Sequence, residues 1–209
     1  MVLVYTQSIV ICSRCFCGGY DSQMIKNRSV WSDIVVVCVS GSALLLTSLS
    51  YAAPTYLDMN ERSLGIIEKK YGPPARRRVA KWTKSLNHLS QRRIPDHRLM
   101  QFANDYFNSV KWRWDIDHWG QEDYWATPVE TLATNAGDCE DFSIGKYFSL
   151  INTGVDAGKL RITYVKALDY DLAHMVLAYY PKPNAEPFIL DNINKTCLLY
   201  TSPSPRDRG

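Results

Sequence analysis

The chain has 209 residues, of which 46% are hydrophobic and 22% charged, the balance of an ordinary globular protein long enough for one domain with a real core. A net charge of +3 is too small to argue for a nucleic-acid partner. Cys12, Cys15, Cys17 and Cys38 crowd the beginning and Cys197 lies near the end, so Cys139 alone falls within the part that reads as a folded domain, and a disulfide scaffold is excluded.

In chain order, the first pattern is a leader. From Met24, basic Lys26 and Arg28 precede an apolar stretch from Ile34 to Leu46 and a small-residue end at Ser50-Tyr51-Ala52. That order predicts a secretory signal over residues 24–52, cleaved after Ala52. The alternative, an N-terminal anchor, needs roughly 20 apolar residues, and the run Ile34–Leu49 is interrupted by Ser40, Gly41 and Ser42. Residues 1–23 read as an upstream segment preceding the true start at Met24, and the Cys-x-x-Cys-x-Cys spacing there has no histidines near it.

The domain reads from residue 53 to 194. Val79, Trp82, Leu86 and Leu89 recur at helical steps over Ala75–Leu89, with Arg76, Arg77, Arg78, Lys81 and Lys84 facing out. A second helix spans about Asp96 to Val110, with Leu99, Phe102, Ala103, Tyr106 and Phe107 inward. The tryptophan- and acid-rich stretch that follows reads as a polar loop pinned by its rings, and Asp115, Asp117 and His118 in it make only a weak metal pattern. Thr127-Pro128-Val129-Glu130 is a capping box with proline at the first helical position.

Asp138 is placed to cap the next helix, with Asp141 in the reciprocal position; the helix runs to Gly154 and carries Cys139 in its first turn. Strands are predicted from Leu160, Ala173 and Pro187, each bounded by Gly, Pro, Asp or Asn. Helices first and strands after predict an α+β fold with helices packed on an antiparallel sheet. Beyond Asn194 the Ser/Pro/Arg-rich residues 195–209 read as a disordered or non-native tail.

The stretch "NAGDCEDF" carries the chemistry. A cysteine at a helix N-terminus meets the positive end of the macrodipole, which favours thiolate. Asp138, Glu140 and Asp141 oppose this unless a cation neutralises them, and all-oxygen ligation suits calcium. The same acids are equally natural as stabilising charges in a first helical turn. A thiolate hydrolase also needs a base and a group to orient it. Among the four histidines, His174 begins an apolar strand, and Asp191 ends the next one. Cys139, His174 and Asp191 can therefore form a triad, although a strand histidine also occurs as a satisfied core residue.

"DYWATPVETLATNAGDCEDFSIGKYFSL", "AHMVLAYY" and "FILDNIN" closely resemble the bacterial transglutaminase-like cysteine proteinases over about Tyr56 to Asn194. The resemblance implies a papain-like, transglutaminase-like α+β domain with Cys139 as nucleophile, His174 as general base and acid, and Asp191 as orienting residue. It implies calcium beside the nucleophile, with Asp138, Glu140 and Asp141 at the acidic positions. It also implies a periplasmic endopeptidase that cuts the N-terminal region of a large surface adhesin at paired alanines and so releases biofilm. An inner-membrane receptor for cyclic di-GMP would sequester it, with no nucleic-acid partner and no stable membrane insertion after cleavage. Two other functions use the same residues: a transglutaminase, in which an amine takes the acyl group, and a calcium-dependent binding module with an inert thiol.

Overall fold

In the computed structural model, residues 59–167 and 170–194 are described in full, and residues 2–9 and 198–199 by their backbone alone. The leader, the four early cysteines and Cys197 lie outside the described residues or their described side chains.

The helical half begins at α1 (Glu61–Tyr71), where the Asn60 side chain accepts from the Ser63 amide at 2.9 Å. Then come α2 (Pro73–Ser90) and α3 (Asp96–Asn108). Val79, Trp82 and Leu86 of α2 and Leu99, Ala103 and Phe107 of α3 are buried, as the helical spacing predicts. Each large apolar side chain so removed from water contributes on the order of 1.5–3 kcal/mol. Arg78 departs from the expected solvent face. It turns inward and donates to the carbonyls of Leu132 and Ala133, at 2.7 and 2.5 Å, completing the last turn of α5 (Pro128–Thr134).

The tryptophan-rich stretch is more ordered than a loop. It holds a short strand β2 (Lys111–Trp112) and a short helix α4 (Asp115–Trp119). The expected capping box is formed: Thr127 accepts from the Glu130 amide, and Glu130 accepts in return from the Thr127 amide. After α5, strand β3 (Ala136–Gly137) runs parallel to β2 and leads into α6 (Cys139–Asn152).

α6 packs against helices α2, α3 and α5 on one side and against the sheet on the other. Such a helix is enclosed nearly all round, so its polar Asp141, Ser143, Lys146 and Asn152 are buried along with its apolar residues. Ser143 and Ser149 are buried, and Ser149 Oγ accepts from the Trp82 indole at 3.0 Å. Gly145 has a specific reason: a Cβ there would lie 2.0 Å from a Phe107 ring carbon, so α3 crosses α6 at contact distance only because a side chain is missing.

The sheet has the order β1-β4-β5-β6-β7, with every pair antiparallel. Its members are β1 (Val2–Ile9), β4 (Leu160–Ala167), β5 (Leu172–Tyr179), β6 (Phe188–Leu190) and β7 (Leu198–Leu199). The three strands expected after α6 are β4, β5 and β6. The outer pairs come from segments read as extrinsic to the domain: Val2–Ile9 lies along β4, and Leu198–Leu199 pairs with Phe188–Ile189. Among the described residues no helix is long and apolar enough to cross a membrane.

Candidate active site

The β2–β3 pair delivers Cys139 to the first turn of α6, where the carbonyl of Asp138 accepts from the Phe142 amide at 3.1 Å. Gly137 precedes it because Asp141 lies so close: an added Cβ would meet Asp141 Oδ2 at 2.6 Å. The helix start is tied to the sheet through Ser143, whose hydroxyl is 2.8 Å from the Cys139 carbonyl and 3.1 Å from that of Met175 on β5. The residue before Met175 is His174, so the imidazole is borne by the strand that Ser143 ties to the start of α6.

On the sheet side, His174 and Asp191 are both buried, and Nε2 of the imidazole is 2.7 Å from Asp191 Oδ1. An ionised carboxylate can only accept, so Nε2 carries the proton and Nδ1 is left as the free basic nitrogen. Asp191 is itself fully engaged. It accepts from the amides of Ile193 at 3.0 Å and Asn194 at 3.2 Å, and its carbonyl accepts from the Asn108 amide group at 2.7 Å. Burial alone would raise its pKa, but the hydrogen bond and charge of His174 and the two amides prevail and hold it below the ordinary carboxylate value.

The thiol side is the reverse. Cys139 is half-buried and donates to Glu140 Oε2 at 3.1 Å. Burial, then the charge and hydrogen bond of Glu140 and the charge of Asp138, push the thiol well above its ordinary pKa, and the Met175 amide opposes them only weakly. Asp138, Glu140 and Asp115 of α4 each bring an oxygen within 4.8 Å of the others. Oδ1 of Asp138 and Oδ1 of Asp115 are buried without a hydrogen-bond partner. Burial, followed by Glu140 and the neighbouring acids, raises Asp138 to about 9. Burial likewise raises Asp115, with the Tyr124 amide opposing it. Orphaned buried oxygens whose charge is suppressed are the setting a hard divalent cation reverses, and an all-oxygen donor set fits calcium.

Of the acids expected at the metal, Asp138 and Glu140 are in this group. Asp141 is fully buried but stands apart: it accepts from the Ala126 amide at 2.7 Å, and burial lifts it to about 8. Asp138 makes no side-chain cap of α6, so its carboxylate is turned to the acidic group rather than to the helix amides. Asp115 is the residue that sequence reasoning undervalued. It was grouped with its neighbours Asp117 and His118, but Asp117 is exposed and His118 bonds the Thr134 hydroxyl at 3.0 Å. Asn108 carried no signal at all, since an asparagine at a helix end is unremarkable until Asp191 folds against it.

A buried histidine–carboxylate pair on an antiparallel sheet, packed against a helix that begins with a cysteine, is an architecture that transglutaminase-like thiol hydrolases use. Residues 78–204 match the family described as bacterial transglutaminase-like cysteine proteinase. The chain belongs to that family. Solved structures agree. Legionella pneumophila LapG is 36% identical over 66% of this chain and 75% of its own, with a TM-score of 0.57. The calcium-bound form of the same protein aligns at 36% identity, 66% and 75% coverage and TM-score 0.58. The EGTA-treated form aligns at 37%, 65% and 74%, and 0.56. No curated protein matches the chain.

Proposed function

We propose that this chain is a calcium-dependent cysteine endopeptidase in which Cys139 is the nucleophile, His174 the general base and acid, and Asp191 the orienting residue. The observation that carries the reading is the buried 2.7 Å contact between His174 and Asp191, with His174 on the strand that Ser143 ties to the start of the Cys139 helix. Asp191 holds the imidazole with Nδ1 free, so His174 takes the thiol proton through that atom and returns it to the leaving amine. The thiolate attacks the peptide carbonyl, a thioester forms as the amine departs, and water activated by His174 then hydrolyses it. Backbone N–H groups at the start of α6 face the oxyanion.

Asp115, Asp138 and Glu140 would hold the calcium, with Asp141 behind them. Bound there, the cation would neutralise the acids whose charge opposes a thiolate at Cys139. The calcium-bound and EGTA-treated LapG structures support that assignment. Family membership also supports a periplasmic setting, a surface adhesin cut near paired alanines as substrate, and sequestration by an inner-membrane cyclic di-GMP receptor.

The test is cleavage of an adhesin N-terminal fragment containing paired alanines, with calcium or with excess chelator, by wild type and Cys139→Ala. Calcium-dependent cleavage lost in Cys139→Ala is the expected result. Retained cleavage in that variant would overturn the assignment of the nucleophile, and incorporation of a labelled amine in place of hydrolysis would make the enzyme a transglutaminase.

A further inference from the structure

Two tryptophans are left largely in solvent beside the site: Trp112 is 42% exposed and Trp114 51%. No side chain gains more from burial than tryptophan, so an exposed pair needs a reason. Their rings meet edge-on at 5.3 Å, and Trp112 also meets Phe142 at 6.1 Å. Phe142 stands three residues after Cys139 on α6 and is itself buried in the helical core, which ties Trp112 to that helix. At the other end of the pair, Trp114 is followed directly by Asp115, whose carboxylate groups with Asp138 and Glu140 on either side of Cys139. Between these two ties, Trp112 lies opposite Gly137 in the parallel β2–β3 pairing, and the Arg113 amide bonds the Gly137 carbonyl at 3.0 Å. The strip is therefore anchored to the nucleophile's surroundings at three points while its apolar faces stay open.

We propose that Trp112 and Trp114 form the subsite that receives an apolar side chain of the extended peptide substrate near the scissile bond. The inference rests on the endopeptidase reading and goes beyond it by naming residues that select the sequence cut. Continuity with the thiol decides the occupant: the strip runs from Trp112, opposite Gly137 and so two residues from Cys139, to Asp115 in the acidic group that flanks Cys139, so a chain lying on it is led to the thiol. Lys111 and Arg113, both exposed, alternate with the two tryptophans along the chain.

The experiment uses the full chain in calcium buffer with fluorogenic paired-alanine peptides, in which a flanking position carries either leucine or serine. Trp112→Ala and Trp114→Ala are compared with wild type, with Trp114→Phe, and with Ile66→Ala, an apolar residue 61% exposed on α1. Alkylation of Cys139 by iodoacetamide is followed in each. Losing one aromatic anchor should lower kcat/KM for the leucine peptide by about tenfold or more, mainly through KM. The preference for leucine over serine should shrink, Trp114→Phe should keep most activity, and Ile66→Ala and all alkylation rates should match wild type. Unchanged kcat/KM in both alanine variants would overturn the proposal. So would alkylation falling in step with cleavage, because the rings would then support the nucleophile rather than bind substrate. If wild type alkylates normally but cuts no peptide, the endopeptidase reading fails and the subsite falls with it.

Discussion

The two halves of the site differ in how completely their polar groups are satisfied. On the sheet side, His174 and Asp191 are buried, paired at 2.7 Å and locked by the Ile193 and Asn194 amides. On the helix side, the thiol faces Glu140, and three carboxylate oxygens, on Asp115, Asp138 and Asp141, are buried without partners. The imidazole proposed as the base is thus preorganised by the fold itself, whereas the thiol proposed as the nucleophile is held in check by acids the fold leaves uncompensated. Buried polar atoms without partners cost about 1–3 kcal/mol each, a burden consistent with a site that awaits a ligand.

The largest effects should come from breaking each half separately. Cys139→Ala should abolish turnover with little change in Tm, measured by cleavage assay and calorimetry, because it removes only a half-buried thiol. Asp191→Ala should lower kcat by roughly 10²–10⁴-fold and also reduce stability by about 1–3 kcal/mol, since it strands a buried imidazole and two amides. A catalytic loss without a stability loss would contradict the picture of a locked pair. Gly145→Val drives a side chain into the Phe107 ring. It should cost on the order of 3 kcal/mol in denaturant unfolding.

Proton linkage gives the two halves opposite signs. In metal-free protein Asp141 is raised from 3.8 to about 8 and Asp138 is also raised, so the native state binds extra protons between those limits. Stability should therefore fall as pH rises from about 4 to about 8, by a few kcal/mol or roughly 5–10 °C in Tm. Calcium should flatten that decline. Asp115→Asn should raise the metal-free Tm at neutral pH and shrink the calcium-induced increase. Asp191, whose pKa is depressed, contributes stability that is present above the ordinary carboxylate range and lost as pH falls through its folded value. The smallest effect belongs to Lys159→Ala, which breaks a partly exposed ion pair with Asp96 and should cost no more than about 1 kcal/mol.

Much of this was legible in the chain. The spacing of Val79, Trp82 and Leu86, the capping box at Thr127 and the strand boundaries around His174 are local signals, set by helix periodicity, backbone amides and turn residues within a few positions. Arg78 was not legible, because a basic residue on an amphipathic helix has no local reason to turn inward; the open carbonyls of Leu132 and Ala133 supply one only after α5 packs beside α2. Asp115 was visible as an acid but assigned to the wrong neighbours, since contact with Asp138 and Glu140 is made across the β2–β3 pairing rather than along the chain.

The sequence by itself therefore determined the helix-borne cysteine, the strand-borne histidine and aspartate, and the class of fold that brings helices onto an antiparallel sheet. Only the tertiary structure decided which acids share a space, which nitrogen of His174 is free, and which tryptophans stay exposed. The reason is physical: periodicity and caps act within one element, whereas desolvation, hydrogen-bond partnership and charge repulsion depend on groups that become neighbours only when separate elements pack.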